Sequence, residues 1–325
     1  MRAITLKNFG GPEVLTLAKV PQPLPGPDQI LVHVKACGLN RADLLQRRGK
    51  YPPPAGESDI LGMEIAGTVA AMGENVEGFG AGEKVFGLVG SGAYADYCLI
   101  DQGMAMPIPE RFTFEAAAAI PEAFLTAQEV VFSLAQLQPK ESILIHAGAS
   151  GVGSAAIQLA KQMGAVVYTT TGSDEKIAKI KDFGADFIIN YKEKDFSEEI
   201  MRLTDNKGVN VIIDFIGAEY LMQHLKLLQI AGRLSIVGLM RGTTAEIDLS
   251  LVQKKRLQIK GMAMRTRPLA EKRRVTQHFQ QHWLPLFING KLKPVVDSVF
   301  PITEAQAAHE YMENNLNVGK IILTL

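Results

Sequence analysis

The chain has 325 residues, with 34 Lys and Arg against 34 Asp and Glu, and 47% of its residues are hydrophobic. That neutral balance argues against a nucleic-acid surface, which shows as a basic excess, while the length and apolar share fit roughly two domains with sizeable cores. The two cysteines, Cys37 and Cys98, make a disulfide framework unexpected and suit a reducing compartment.

Residues 1–7 lack the apolar core of a signal peptide. No apolar run reaches membrane-spanning length, and the longest, 116–137, is interrupted by Pro121, Glu122 and Glu129. A soluble cytoplasmic protein with no membrane partner is expected. Residues 1–100 read as mostly β. Ile4 and Leu6 open a strand, 9–12 make a turn, and 21–28 form a proline-rich connection. Over 30–37 the pattern alternates with period two, placing Ile30, Val32, Val34 and Ala36 on one face. A short helix is predicted over 40–48, followed by a stiff loop in which Tyr51 precedes Pro52, Pro53 and Pro54. Strands over 64–71, 84–89 and 93–100, separated by glycine turns, predict a compact β barrel or sandwich.

From Phe114 the texture turns helical, and a βα alternation follows. Strands are predicted over 143–147, 166–170, 187–190, 211–215, 234–237 and 257–260, which implies a doubly wound parallel sheet of the α/β class. A long helix over 269–288 closes this part. Residues 294–300, 304–314 and 318–325 return to strand, helix and strand, the last expected to rejoin the first domain. The resulting division is 1–122, 123–290 and 291–325.

The first predicted strand of the alternation runs into a glycine turn that opens a helix. Gly148 and Gly153 take the outer positions of a G-x-G-x-x-G pattern, Ser150 stands at the middle one, and Gly151 and Val152 complete the turn. Free amides and the dipole at a helix start favour an anion, so the turn is a candidate pyrophosphate site. A tight turn without a ligand is the alternative, because the pattern alone is weak and its βα context is what strengthens it. After the second strand no acid stands where a ribose 2′-hydroxyl is commonly held. Ser173 and Lys176 stand there instead and suit a 2′-phosphate, although Ser173 also reads as a plain N-cap and Lys176 as a surface charge.

A metal is not expected. Cys37 with His33 and Glu64 has no C-x-x-C pair and falls short of the four ligands of a structural zinc, and His278 with His282 supplies only two ligands and lacks a glutamate beside its first histidine.

Several motifs together resemble the medium-chain dehydrogenase/reductase superfamily, and within it the zinc-free, zeta-crystallin-like quinone oxidoreductases, the tumour-suppressor-inducible subgroup most of all. They are 38–43 around Asn40, 61–67 around Glu64, 121–127 from Pro121 to Ala127, 146–153, and 318–320. The resemblance spans nearly the whole chain. It implies a β-rich GroES-like domain, a Rossmann domain binding NADP as NADPH, a small quinone-like acceptor and a homodimer. It maps the zinc-ligand positions of zinc-dependent relatives onto Asn40 and Met63. It also implies cofactor contacts at Thr126, Tyr191, Phe215, Ile216, Gly238, Leu239, Met240 and Lys320, with Ser150 at the pyrophosphate or the nicotinamide pocket. Tyr51 and Asn40 are the candidate catalytic groups. Tyr51 either bonds a quinone oxygen or packs before the prolines, and Asn40 either meets the substrate or caps its helix. Two rivals share the scaffold: an NADPH-dependent enone or enoyl thioester reductase, and a non-enzymatic structural or RNA-binding role.

Overall fold

Gln29–Leu39 is the longest strand, and its small and β-branched side chains leave Ile30, Val32, Val34 and Ala36 fully buried. It pairs antiparallel with Glu64–Met72 along one edge. Along the other it pairs first with Tyr97–Asp101 and then with Lys320–Thr324. The computed structural model describes all 325 residues, and they divide into two units, 1–125 with 265–325, and 126–264.

In the first unit the sheet runs in the order Val296–Pro301, Lys320–Thr324, Gln29–Leu39, Glu64–Met72, Lys84–Leu88 and Ala105–Pro107. A hairpin of Arg2–Leu6 and Leu15–Lys19 accompanies it. The strand expected over 93–100 is shorter, Tyr97–Asp101, because the backbone of Ala93 and Tyr94 bonds to Gly62 and Leu61 instead of the ladder.

The second unit holds six parallel strands in the order Phe187–Asn190, Val166–Thr171, Ser142–Ile145, Val209–Asp214, Leu228–Ile236, Gln258–Gly261. The sequence direction therefore reverses beside Ser142–Ile145, and the crevice beyond the strand ends at such a point is where this architecture receives ligands. Leu144, Ile212, Leu225 and Leu234 are among the side chains of its core.

The helix expected over 269–288 differs in two ways. It is broken into Leu269–His282 and Leu284–Ile288, with Pro285 near the start of the second, where its missing N–H costs nothing. It also belongs to the first unit, so the unit boundaries lie at 125/126 and 264/265 and not at 122/123 and 290/291. The cause is packing. Phe287 meets Phe124 and Phe279 with ring centroids 4.7 and 5.9 Å apart, and Arg273 forks onto Asp101 at 2.7 and 2.6 Å. No helix is long and apolar enough to cross a membrane.

Candidate functional site

In the second unit the strand Ser142–Ile145 hands over to Ala147, which has φ 50° although it carries a Cβ. Non-glycine residues hold that left-handed conformation where the surrounding structure enforces it, often at functional turns. Ser150 then caps the helix Gly151–Gln162, its Oγ accepting from the Gly153 amide at 3.0 Å. The amides of Gly151 and Val152 are left with no acceptor inside the helix. A Cβ on Gly153 would stand 2.2 Å from the Ala147 carbonyl oxygen, and one on Gly148 would stand 2.2 Å from Thr169 Oγ1. Only glycine permits this turn, and the result fits a phosphate.

Asp214 organises the neighbouring strand ends. Its carboxylate accepts from the amides of Ile216 at 2.7 Å and Gly217 at 3.1 Å, and its carbonyl accepts from Val237 at 2.7 Å and Gly238 at 3.3 Å. One buried residue thus sets both the turn carrying Phe215 and Ile216 and the turn carrying Gly238, Leu239 and Met240. Behind it runs a buried line of hydrogen bonds. Thr170 Oγ1 lies 2.9 Å from His146 Nδ1, and His146 Nε2 lies 2.9 Å from His224 Nε2. His224 Nδ1 stands 3.8 Å from Asp214. Burial keeps both imidazoles neutral, with His224 pushed down to about 3, and lifts Asp214 to about 6.

No acid stands at the end of Val166–Thr171, and Asp174 in the following turn is engaged by the Asn190 amide at 2.9 Å. Ser173 stands at an N-cap position but makes no side-chain cap bond, and it is half-buried, as are Lys176 and Tyr191. Tyr191 packs on Gly172, where a Cβ would lie 2.5 Å from its hydroxyl. Thr126 is buried, and its Oγ1 has no partner in the protein. A buried hydroxyl left unbonded costs free energy that a bound ligand recovers.

The first unit gathers charge. Lys320 Nζ lies 2.6 Å from Glu64 Oε1 and donates to Asn40 Oδ1 at 2.6 Å and to the Leu39 carbonyl at 2.9 Å. Asn40 Nδ2 donates to Glu64 Oε1 at 2.8 Å. Asn40 starts the helix Arg41–Arg47, but its side chain is spent on Glu64 and Lys320, and the helix is tied instead by its amide donating to Asp43 Oδ2 at 2.8 Å. The other Asp43 oxygen accepts from Gly62 at 3.1 Å, and burial lifts the Asp43 carboxyl to about 6. The second oxygen of Glu64 accepts from the Glu122 amide at 2.8 Å. Arg265, almost fully buried, donates to the Gly90 carbonyl at 2.8 Å and to Gln46 Oε1 at 2.7 Å. Its guanidinium sits 5.3 Å from the centre of the Tyr51 ring. The Tyr51 hydroxyl itself has no hydrogen bond.

Lys320 therefore has three partners inside its own unit, where the resemblance implied a phosphate contact. Cys37 is a fully buried strand residue whose thiol is pushed up, first by burial. His33 stacks on Tyr97 at 4.9 Å, and His278 stacks on His282 at 4.2 Å. No group of three or more His, Cys, Asp or Glu is placed to hold a metal ion. Sequence reasoning missed Asp214, Arg265 and Glu122. Of these, only Glu122 left a signal, as a charge breaking an apolar run.

Residues 26–110 match the family described as alcohol dehydrogenase GroES-like domain, and residues 151–281 match zinc-binding dehydrogenase. The quinone oxidoreductase of Rattus norvegicus is 34% identical over 328 residues, covering 100% of this chain and 98% of that protein. The solved structure of Escherichia coli quinone oxidoreductase complexed with NADPH superposes with a TM-score of 0.89 at 31% identity, covering 100% of both chains. The CurK enoyl reductase superposes with a TM-score of 0.88 at 29% identity, covering 99% of this chain and 98% of its own.

Proposed function

The chain belongs to the quinone oxidoreductases of the medium-chain dehydrogenase/reductase superfamily, and from that membership we propose that it reduces quinones with NADPH and without zinc. One observation carries the reading. At the positions onto which the family resemblance maps the zinc ligands of zinc-dependent relatives stand Asn40, whose side-chain amide is committed to Glu64 and Lys320, and Met63, a buried thioether. Neither suits zinc, so the acceptor must be electrophilic on its own, as a quinone is.

NADPH, when bound, supplies the hydride. The turn of Gly148, Ser150, Gly151, Val152 and Gly153 holds the pyrophosphate. Ser173, Lys176 and Tyr191 meet the 2′-phosphate end. Phe215, Ile216, Gly238, Leu239 and Met240 border the cofactor, and the unbonded Thr126 hydroxyl offers it a hydrogen bond. Lys320 is left out of this set because its ammonium is already engaged. Tyr51 presents its free hydroxyl to a quinone oxygen as charge develops there. A cytoplasmic homodimer goes with this reading and is checked by fractionation and sedimentation.

The test is a panel of ortho-quinones, para-quinones, enones and enoyl thioesters, each with NADPH and NADH. Quinones with NADPH are expected to give the highest kcat/KM. Enoyl thioesters outrunning them would replace this reading with the one the CurK likeness favours, and stoichiometric zinc by elemental analysis would end the zinc-free part. Lys176→Ala should weaken NADPH binding by about 1.5–3 kcal/mol and leave NADH nearly unchanged. Equal damage to both would make Lys176 structural.

A further inference from the structure

We propose that Glu122 is a catalytic acid, whose carboxyl group delivers the proton a quinone requires once it has accepted a hydride. This rests on the reading of the chain as a quinone reductase. Hydride from a dihydronicotinamide nucleotide brings two electrons and one proton, so the reduced quinone is left with one phenolate oxygen. The Glu122 O–H bond breaks, a phenol O–H bond forms, and Glu122 remains as a carboxylate that regains its proton from water. No other oxidant or reductant enters.

The geometry singles Glu122 out. It is the second residue of the helix Pro121–Gln128, and its amide is held by Glu64. Every other charged group around it is committed. Glu64 is bonded to Lys320 and Asn40, Asp43 to the amides of Asn40 and Gly62, and Arg265 to Gly90 and Gln46. The Glu122 carboxyl has no hydrogen-bond partner in the protein. It is also only partly buried, so a ligand can reach it. The Tyr51 hydroxyl is the other unbonded polar end of the cluster, and it lies within electrostatic reach: after burial, the charge of Glu122 is what raises the Tyr51 phenol. One unbonded donor within electrostatic reach of one unbonded acid is an arrangement that can orient a carbonyl oxygen and then protonate it.

The charges facing Glu122 tune it in both directions. Burial, then the carboxylate of Glu64, opposes its ionisation, and Asp43 adds to them; Lys320 and Arg265 favour it. The balance lifts the carboxyl to about 7, so it still holds its proton close to neutrality.

The test is Glu122→Gln, with Glu122→Asp beside it, measured in single turnovers of a para-quinone with NADPH. For the wild type the rate should fall as pH rises through about 7. Glu122→Gln should be slower by about tenfold below that point and lose the pH dependence. Glu122→Asp should keep part of the rate and a pH-dependent limb. Infrared titration of the cofactor-free protein, wild type minus Glu122→Gln, should show one carboxyl losing its proton near pH 7. Stability gives a third reading. The folded chain holds this proton more tightly than the unfolded chain does, so wild-type stability falls as pH rises from the usual carboxylate range through about 7, and Glu122→Gln should lose that fall. A Glu122→Gln enzyme with wild-type rate and pH profile, or a Glu122 carboxyl already ionised at pH 5.5–6 (about one unit below), overturns the proposal. A wild type that turns over no quinone overturns the functional reading itself, and the two failures are thereby told apart.

Discussion

At the strand ends of residues 126–264 the polar groups are backbone amides, hydroxyls, two imidazoles held neutral by burial and a single buried carboxylate, Asp214, held by backbone amides. The centre of the first unit holds Glu64, Lys320, Asp43, Glu122 and Arg265 instead. The first arrangement depends on backbone shape: it needs glycine at Gly148 and Gly153 and tolerates no extra atom there. The second depends on compensation: Glu122 is held protonated close to neutrality, and the other buried charges are acceptable only while their partners are present. Damage should therefore take different forms in the two regions, as lost fit in one and as an orphaned charge in the other.

The severest test of that contrast is Lys320→Met. Removing the ammonium leaves Glu64 buried without its counter-charge, and the first unit should lose about 3–5 kcal/mol in urea unfolding. Adding Glu64→Gln should restore much of the loss, because the orphaned charge is then gone. No recovery in the double variant would mean that the ammonium matters for its packing and not for its charge. Gly153→Ala should act in the other manner. Its Cβ would meet the Ala147 carbonyl oxygen at 2.2 Å, costing about 1–3 kcal/mol through displaced backbone. Calorimetry should report the melting shift, and fluorescence titration should report weakened NADPH binding. An unchanged affinity would show that the turn does not hold the cofactor. The smallest effect is expected of Tyr51→Phe, which removes a hydroxyl with no partner in the protein. Its melting temperature should stay put while kcat and kcat/KM fall together by about tenfold. A fully active variant would take Tyr51 out of the chemistry.

Most of the parallel sheet was legible in the sequence, because buried strands and amphipathic helices alternate with clear periods. The glycine turn opening a helix was legible too, although the cap made by Ser150 was not. Two other features were not. The helix Leu269–His282 follows the last strand of the second unit directly in sequence, and nothing in its own pattern reveals that aromatic packing of Phe279 and Phe287 assigns it to the first unit. The resemblance implies a phosphate contact for Lys320, and its ion pair with Glu64 left no sign in the sequence, because Glu64 lies far away in the chain and sheet pairing through Gln29–Leu39 brings the two together. Charge compensation between distant residues leaves no local pattern, and the same holds for Arg265 against Tyr51.

The placement of Lys320–Thr324 beside Gln29–Leu39 also bears on how the chain is made. Residues 126–264 leave the ribosome as an uninterrupted stretch carrying every strand of their own sheet, so they can fold during synthesis. The first unit starts earlier and finishes later. Until Lys320–Thr324 emerges, the edge of Gln29–Leu39 from Ala36 to Leu39 has no strand to pair with, and Glu64 has no ammonium. An open, apolar strand edge on a nascent chain pairs readily with other chains. During synthesis that edge is therefore the part of the first unit most open to wrong pairing, until Lys320–Thr324 covers it.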